Sequence, residues 1–269
     1  MTGSPSEMEL QAFRRDGAVA LRGAFAEWLE VLRAGVERNM AEPGPYTKEY
    51  SADDSSGYFF GDYCNWQRIP EFRSFLLESP AAAVAGALMG SKTARLFHEH
   101  VLVKEPGTEE ATPWHHDLPY YCVEGTMSCS LWITLDAVAR EICPEFVAGS
   151  HRWGKRFMPR KFIGIDYDRP GEALEPVPDI DGHREDYRIL SWALEPGDAI
   201  AFTYLTLHGA PPNLSTNRRR GFVARWLGED MVFAARSGEV SPPFPELAGV
   251  LEDGDPLPDD LFPVVARLD

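Results

Sequence analysis

The stretch from Ala94 to Leu227 constrains the fold more than any other part of the chain, because it divides into short strand-like runs set apart by proline and glycine. ARLFHEHVLVK (Ala94–Lys104) stops before Pro106-Gly107. MSCSLWITL (Met127–Leu135), Ile189–Leu194, AIAFTYLTL (Ala199–Leu207) and GFVARWL (Gly221–Leu227) follow, with the turn Glu195-Pro196-Gly197-Asp198 ahead of the fourth. Short runs of this kind, bounded by turn signals, predict an antiparallel sandwich or barrel. The chain before them is helical in pattern. Ser6–Asp16 reads as a helix with Ser6 as N-cap and Glu9 as its capping-box partner, ended by Gly17. Gly17–Gly23 is a short strand. Ala26–Met40 carries Trp28, Leu29, Leu32, Val36 and Met40 at helical spacing, and Pro70–Gly90 reads as one further helix capped by Gly90. Residues 41–66 and 154–187 read as loops, and the Pro- and acid-rich tail, 241–269, as a surface wrap. With 269 residues and no convincing linker, the expectation is a single domain, 1–269, in which helices within 6–90 pack on a barrel at 94–230.

Composition narrows the partners. A formal net charge of −16 repels polyanions, so nucleic acid is not expected. Cys64, Cys122, Cys129 and Cys143 form no C-x-x-C pair, which argues against a disulfide framework or a zinc ribbon and suits a reducing compartment. MTGSPSEMEL has neither a basic nor an apolar targeting region, and no stretch reaches the length of a membrane span. The expected location is cytoplasmic, with no membrane and a small molecule as partner.

Three side chains suggest metal chemistry: His115, Asp117 and, far downstream, His208. His-x-Asp with a distant His is the sequence form of the 2-His-1-carboxylate triad, which binds Fe(II) on one face and leaves positions open. In an extended segment residues i and i+2 share a side, so His115 and Asp117 can meet one ion, with His208 arriving at the end of the Ala199–Leu207 strand. His-x-Asp alone occurs by chance in many chains, and each histidine taken singly reads as an ordinary hydrogen-bonded side chain. The surrounding motifs carry the reading.

Those motifs are Lys104-Glu-Pro-Gly107, Thr112-Pro-Trp-His-His-Asp-Leu-Pro-Tyr120, Ser130-Leu-Trp-Ile-Thr-Leu-Asp136, Gly149-Ser-His151, and His208-Gly-Ala-Pro-Pro-Asn213 followed by Arg218-Arg-Arg220. With the opening Phe13–Gly23, in this order and spacing, they resemble the phytanoyl-CoA dioxygenase family. The resemblance implies a double-stranded β-helix, a cupin-like jelly roll, that uses Fe(II), 2-oxoglutarate and O2 and releases succinate and CO2. It implies His115, Asp117 and His208 as metal ligands. Arg219, eleven residues after His208, falls where the family grips the far carboxylate of 2-oxoglutarate, a task suited to a planar guanidinium. Trp132 falls at an aromatic position beside the cosubstrate, or is simply core. His98, His100 and Lys104 share one side of their strand and would reach cosubstrate or substrate, the alternative for the histidines being a surface pair. Trp114, Tyr120 and Tyr121, next to the ligands, would line a substrate pocket.

Three departures from the family pattern stand out. His116 replaces the usual Gln between the ligands and should point away from the metal. Ile142-Cys143 replaces an Asn-Gly turn. Ala210 replaces a Ser that bonds 2-oxoglutarate, a role proposed for Thr134 instead. The basic run 151–161 reads as a solvated loop before it reads as an anion clamp. Residues 154–187, without sustained apolar period, are expected to form a mobile lid. The competing functions are a cupin-type metalloenzyme that does not use 2-oxoglutarate, and a non-enzymatic small-molecule-binding barrel. A halogenase would lack Asp117.

Overall fold

Helix α1 (Glu7–Asp16) begins where its capping box lies: the Ser6 side chain accepts from the Glu9 N–H, the Glu9 carboxylate accepts from the Ser6 N–H, and Gly17 closes the helix at φ 79°. The structure, a computed structural model, describes residues 4–50, 57–160, 165–247 and 249–268. A single 3-10 turn, Ala26–Trp28, leads into α2 (Leu29–Ala41). The expected helix Pro70–Gly90 is two helices, α3 (Pro70–Glu78) and α4 (Ala81–Met89). The break is at Ser79, which is extended at ψ 169°, because a residue before proline is pushed out of the helical region.

In chain order the strands are β1 (Ala18–Leu21), β2 (Lys48–Glu49), β3 (Phe59–Tyr63), β4 (Thr93–Lys104), β5 (Thr112–His115), β6 (Val123–Glu124) and β7 (Ser128–Thr134). Then come β8 (Glu145–Val147), β9 (Ile189–Leu190), β10 (Ala199–Phe202), β11 (His208–Ala210), β12 (Arg219–Leu227), β13 (Val232–Phe233) and β14 (Val264–Arg267). The larger sheet runs β1-β10-β7-β12-β4-β3-β2, with β14 also on β4; the smaller runs β5-β11-β8-β9. Every pairing between these strands is antiparallel, and the two sheets form a jelly roll.

Alternation along the larger sheet explains both of its faces. Phe60, Val101, Val103, Leu131, Ile133, Phe222 and Ala224 face the helices and pack with Leu32, Phe72, Phe75 and Leu76 in one buried cluster. Phe72 meets Phe222 at 4.8 Å between ring centroids. Burial of each such ring is worth roughly 1.5–3 kcal/mol. The opposite face puts Trp132, Ile200, Phe202 and Val223 against Phe146 of the smaller sheet. The cavity opens between the sheets at that face.

Several sequence expectations need correction. The run Ala199–Leu207 is not one strand: β10 ends at Phe202, a turn at 203–206 follows, and β11 starts at His208 in the other sheet. The expected strand Ile189–Leu194 is reduced to two residues plus an isolated bridge from Leu194 to Val138. The loop 41–66 contains β2 and the fully buried β3. β3 lacks an apolar–polar alternation because both of its faces are covered. The tail is more than a surface wrap, since β14 extends the larger sheet and Leu257 and Phe262 are buried with Phe97, Tyr121 and Leu227. No helix among the described residues is long and apolar enough to cross a membrane.

Candidate active site

His115 ends β5 and His208 begins β11, and the two stand directly opposite each other in register. Their ring centroids are 4.2 Å apart. Asp117 lies beyond the strand end, where the backbone has already turned helical (φ −71°, ψ −36°) into the 3-10 turn Leu118–Tyr120. Alternation along a strand therefore does not explain its position; the turn brings it back toward His115. One oxygen, Asp117 Oδ1, lies 3.6 Å from His115 Nε2 and 3.8 Å from His208 Nε2. The three ligand atoms all lie within 4.8 Å of one another.

The hydrogen bonds settle which atoms face the ion. His115 Nδ1 is 2.8 Å from the Pro113 carbonyl, and His208 Nδ1 is 2.9 Å from the Thr206 carbonyl. A carbonyl only accepts, so both Nδ1 atoms carry the proton and both Nε2 lone pairs are free for a metal. Burial pushes the His208 imidazole down to about 3, keeping it neutral. Burial alone would raise Asp117, but Arg225, followed by the two imidazoles, holds it well below the ordinary carboxylate range. Asp117 Oδ2 is turned away, toward Ser130 Oγ at 3.4 Å and Arg225 Nη2 at 3.5 Å. Ligands about 2.1 Å from one octahedral ion sit about 3 Å apart, so the two Nε2 atoms and one carboxylate oxygen fit Fe(II) after small inward shifts.

The triad opens on a cavity of about 370 Å3. At one end stands Arg219, the first residue of β12, paired in register with Lys104. Arg219 is buried, lines the cavity and donates through Nη1 to the carbonyl of Ile142. The altered turn at Ile142-Cys143 thus touches the arginine directly. Arg218 and Arg220 point outward, to Glu37 and Glu105 and to Glu37 and Asp136 respectively. Trp132, which pairs with Val223, lines the cavity with its indole over Gly221, where a Cβ would lie 2.5 Å from the indole nitrogen. Burial, then the neighbouring Arg219, lowers Lys104 to about 6. Its Nζ donates to the Glu110 carbonyl at 2.6 Å. His98 and His100 line the cavity from β4, and Tyr120 and Tyr121 from the turn after Asp117.

Two expected site residues lie elsewhere. Trp114 is not among the cavity-lining residues. It sits on the outer side of the smaller sheet with Val147, Phe157, Ile180 and Leu207, its indole N–H donating to Asp181 at 3.0 Å. As the neighbour of inward-facing His115 it must point outward. Thr134 also lies outside the lining; its hydroxyl donates to the Asp136 carbonyl at 2.6 Å, within the turn that ends β7. His116 points away from the triad, as expected, and accepts from the Phe157 N–H at 2.9 Å. In the basic run, Lys155, Arg156 and Arg160 pair with Glu175, Glu124 and Asp166, which favours the solvated loop over the clamp.

The cavity has components that sequence reasoning missed. Arg225 follows Arg219, Gly221 and Val223 on the inward side of β12, so alternation could have found it. Phe146 stacks on His208 at 5.7 Å and 14°, and Phe202 lies 4.6 Å from it. Tyr50, Phe59 and Tyr63 come from the segment read as loop, and Ser241 and Pro242 from the tail.

From the segment expected to form a lid, Arg160 and Tyr167 join the cavity lining. Phe157, Tyr167, Arg169 and Ile180 are buried, while Phe162 and Gly164 lie outside the described residues. The Tyr120 hydroxyl donates to the Arg160 carbonyl at 2.6 Å and accepts from its N–H at 2.7 Å. Single buried side chains anchor this segment where a repeating apolar stripe does not. The amides of Met158, Tyr167 and Glu175 bond backbone carbonyls at 2.8, 2.9 and 2.8 Å. Hydrogen exchange should therefore be slow at these three amides in the metal-bound protein before any substrate is added. Fast exchange there, slowed only by cosubstrate and substrate, would restore the mobile lid.

A jelly roll holding two histidines and one carboxylate oxygen around an open face defines the non-haem iron oxygenases. Comparison with known proteins is more specific: the phytanoyl-CoA dioxygenase family model matches residues 13–221, and the chain belongs to that family. It is thus an oxidoreductase that works with iron and 2-oxoglutarate. The chain is similar in fold to the non-haem α-ketoglutarate-dependent carbocyclase SnoK from nogalamycin biosynthesis (22% identity, TM-score 0.76, 98% of each chain covered). It is similar also to the epimerase SnoN crystallised with Fe3+, α-ketoglutarate and nogalamycin RO (23%, TM-score 0.74, 97% of this chain and 98% of that one). A third similar structure is EctD from S. alaskensis with 2-oxoglutarate and 5-hydroxyectoine (19%, TM-score 0.66, 94% and 86%).

Proposed function

We propose that this protein hydroxylates a small organic substrate in the cavity between its two sheets, consuming 2-oxoglutarate and O2 and releasing succinate and CO2. His115 Nε2, Asp117 Oδ1 and His208 Nε2 would hold Fe(II). Arg219 would pair with the far carboxylate of 2-oxoglutarate, with Trp132 alongside. The observation that carries this reading is the triad opening on the same cavity as a buried arginine whose guanidinium is bonded only to carbonyls among the described residues. A metalloenzyme without an anionic cosubstrate has no use for that arginine, because an unpaired buried charge is costly.

Iron and 2-oxoglutarate together supply the two-electron oxidation. The chain supplies position and exclusion. Phe146 and Phe202 pack on the His208 ring and keep water from that side, and Tyr120, edge-on to His115 at 5.7 Å, carries the clasp with Arg160 at the mouth. His98 and His100, beside β12 on the wall formed by the larger sheet, would meet the substrate. Nearby proteins of the same fold act in nogalamycin biosynthesis, which supports a natural-product scaffold as substrate. The unpaired cysteines suit the cytoplasm. Anaerobic addition of Fe(II) and then 2-oxoglutarate should produce the weak visible charge-transfer band of the chelate, bleached by O2 with one succinate formed per 2-oxoglutarate lost. Metal binding with no band at saturating 2-oxoglutarate would reject the proposal.

A further inference from the structure

We infer that Arg225, with His98 and His100, forms a subsite for an anionic oxygen on the substrate, a carboxylate or a phenolate, beside the metal and apart from Arg219. This deepens, and rests on, the 2-oxoglutarate reading above. Arg225 stands opposite His98 in the β12–β4 register, and His100 is the next inward residue of β4. All three line the cavity, and Arg225 and His98 are only 6% and 2% exposed. Arg225 reaches Asp117 Oδ2 through Nη2, at the long distance of 3.5 Å, and lies beside the Tyr121 ring. Its Nε and Nη1 have no hydrogen-bond partner among the described residues, nor do His98 Nδ1 and His100 Nε2. Buried polar groups in folded proteins are nearly always paired, so four orphaned atoms on one wall mark a place where something else binds.

Charge identifies what binds there. Fe(II), Asp117, 2-oxoglutarate as its dianion and Arg219 together sum to zero. Arg225 is one buried cation more. The carboxylates lining the cavity are Asp117 and Glu49, and Glu49 is exposed at the mouth, accepting from the Tyr58 hydroxyl. Lys104 adds no negative charge and stands at the Arg219 end. The loaded cavity therefore keeps an unbalanced positive charge on its inner wall, and a buried charge calls for a partner. Burial, then Arg225, keeps His98 and His100 far below the ordinary histidine range, so they are neutral hydrogen-bonding groups rather than extra cations. A forked guanidinium beside two neutral imidazoles suits an oxygen anion. Tyr63 lies edge-on to His100 at 5.3 Å and Tyr121 edge-on to His98 at 5.3 Å, which fits a flat or aromatic body behind the acid.

The test uses benzoate and 2-naphthoate against their primary amides, on the enzyme with Fe(II) and saturating 2-oxoglutarate under anaerobic conditions. Binding is read twice, by perturbation of the charge-transfer band and by ligand-observed NMR. Each acid should bind at least about tenfold more tightly than its amide. Arg225→Gln should erase that preference while iron is still bound, and Arg225→Lys should keep part of it. Equal binding of acid and amide, no binding of either acid, a preference that survives Arg225→Gln, or displacement of the acids by added 2-oxoglutarate would each overturn the inference. The acid–amide comparison in the unaltered protein stands even where a variant fails to fold. NMR reports it whether or not the charge-transfer band forms, so failure of the cosubstrate reading shows separately, as a missing band.

Discussion

His208→Ala should leave a folded protein that retains no iron after gel filtration and turns over no 2-oxoglutarate. The ring is one of three donors within 4.8 Å of one another, and the described residues hold no other group of metal-binding side chains. Removing a side chain that merely orients a ligand typically lowers metal affinity about 10–100-fold, so loss of a ligand itself should exceed that. His208 is neutral and its removal strands no charge. It does leave a gap between Phe146 and Phe202, which should lower the melting temperature by a few degrees without unfolding the chain. Asp117→Ala is a less clean experiment, because it would also strip Arg225 of its carboxylate. Metal analysis of the purified variant, beside a thermal melt, checks the expectation. A full equivalent of iron in His208→Ala would remove this histidine from the ligand set.

The second large effect belongs to Arg219→Ala. Iron should stay bound, since Arg219 touches none of the three ligands, but the affinity for 2-oxoglutarate should collapse. Truncating one partner of a buried charge pair costs about 2–5 kcal/mol, roughly 30-fold to several-thousand-fold in Kd. Titration of the charge-transfer band measures it. Arg219→Lys should recover little, because an ammonium lacks the planar fork. Arg218→Ala and Arg220→Ala serve as controls: both side chains face outward into ion pairs with Glu37, Glu105 and Asp136, so 2-oxoglutarate affinity should hardly change. An Arg219→Ala enzyme with unaltered affinity would place the cosubstrate elsewhere, with Lys104 the next basic group to examine.

The parts of the fold legible in the sequence are those where one strong local signal agrees with the tertiary environment. β4, β7 and β12 are long, rich in branched and aromatic residues and ended by turns, and they form the middle of the larger sheet. The Ser6–Glu9 box and Gly17 mark the ends of α1 through local capping chemistry alone. Where two faces of a short segment are both covered, periodicity vanishes, and β3 was lost for that reason. Pro80 did signal a helix break, but the Ala-rich run after it hid the signal. The passage from β10 to β11 changes sheets within a few residues that are as apolar as a strand, and only long-range pairing reveals it. In the site, ordered motifs point to three side chains that the structure brings together and to an arginine that lines the same cavity. Trp114 is next to a ligand in sequence but on the other side of the strand, Thr134 has a hydroxyl but spends it in the turn that ends β7, and Arg225 belongs to no motif.

The bonds that orient His115 and His208 run to the carbonyls of Pro113 and Thr206, each two residues earlier in the same chain. The hydrogen bonds that hold the two Nδ1 atoms thus involve no other side chain. Residues around the cavity can be exchanged during evolution, or by an engineer, without loosening the imidazole supports, provided the backbone path of β5 and β11 is kept. A socket wired through the main chain tolerates drift in everything but its own contacts. That property suits a scaffold whose relatives by fold, at about one-fifth sequence identity, include a carbocyclase and an epimerase. It also makes this protein a favourable starting point for redesigning the wall formed by Tyr50, Tyr63, His98 and His100 toward new substrates.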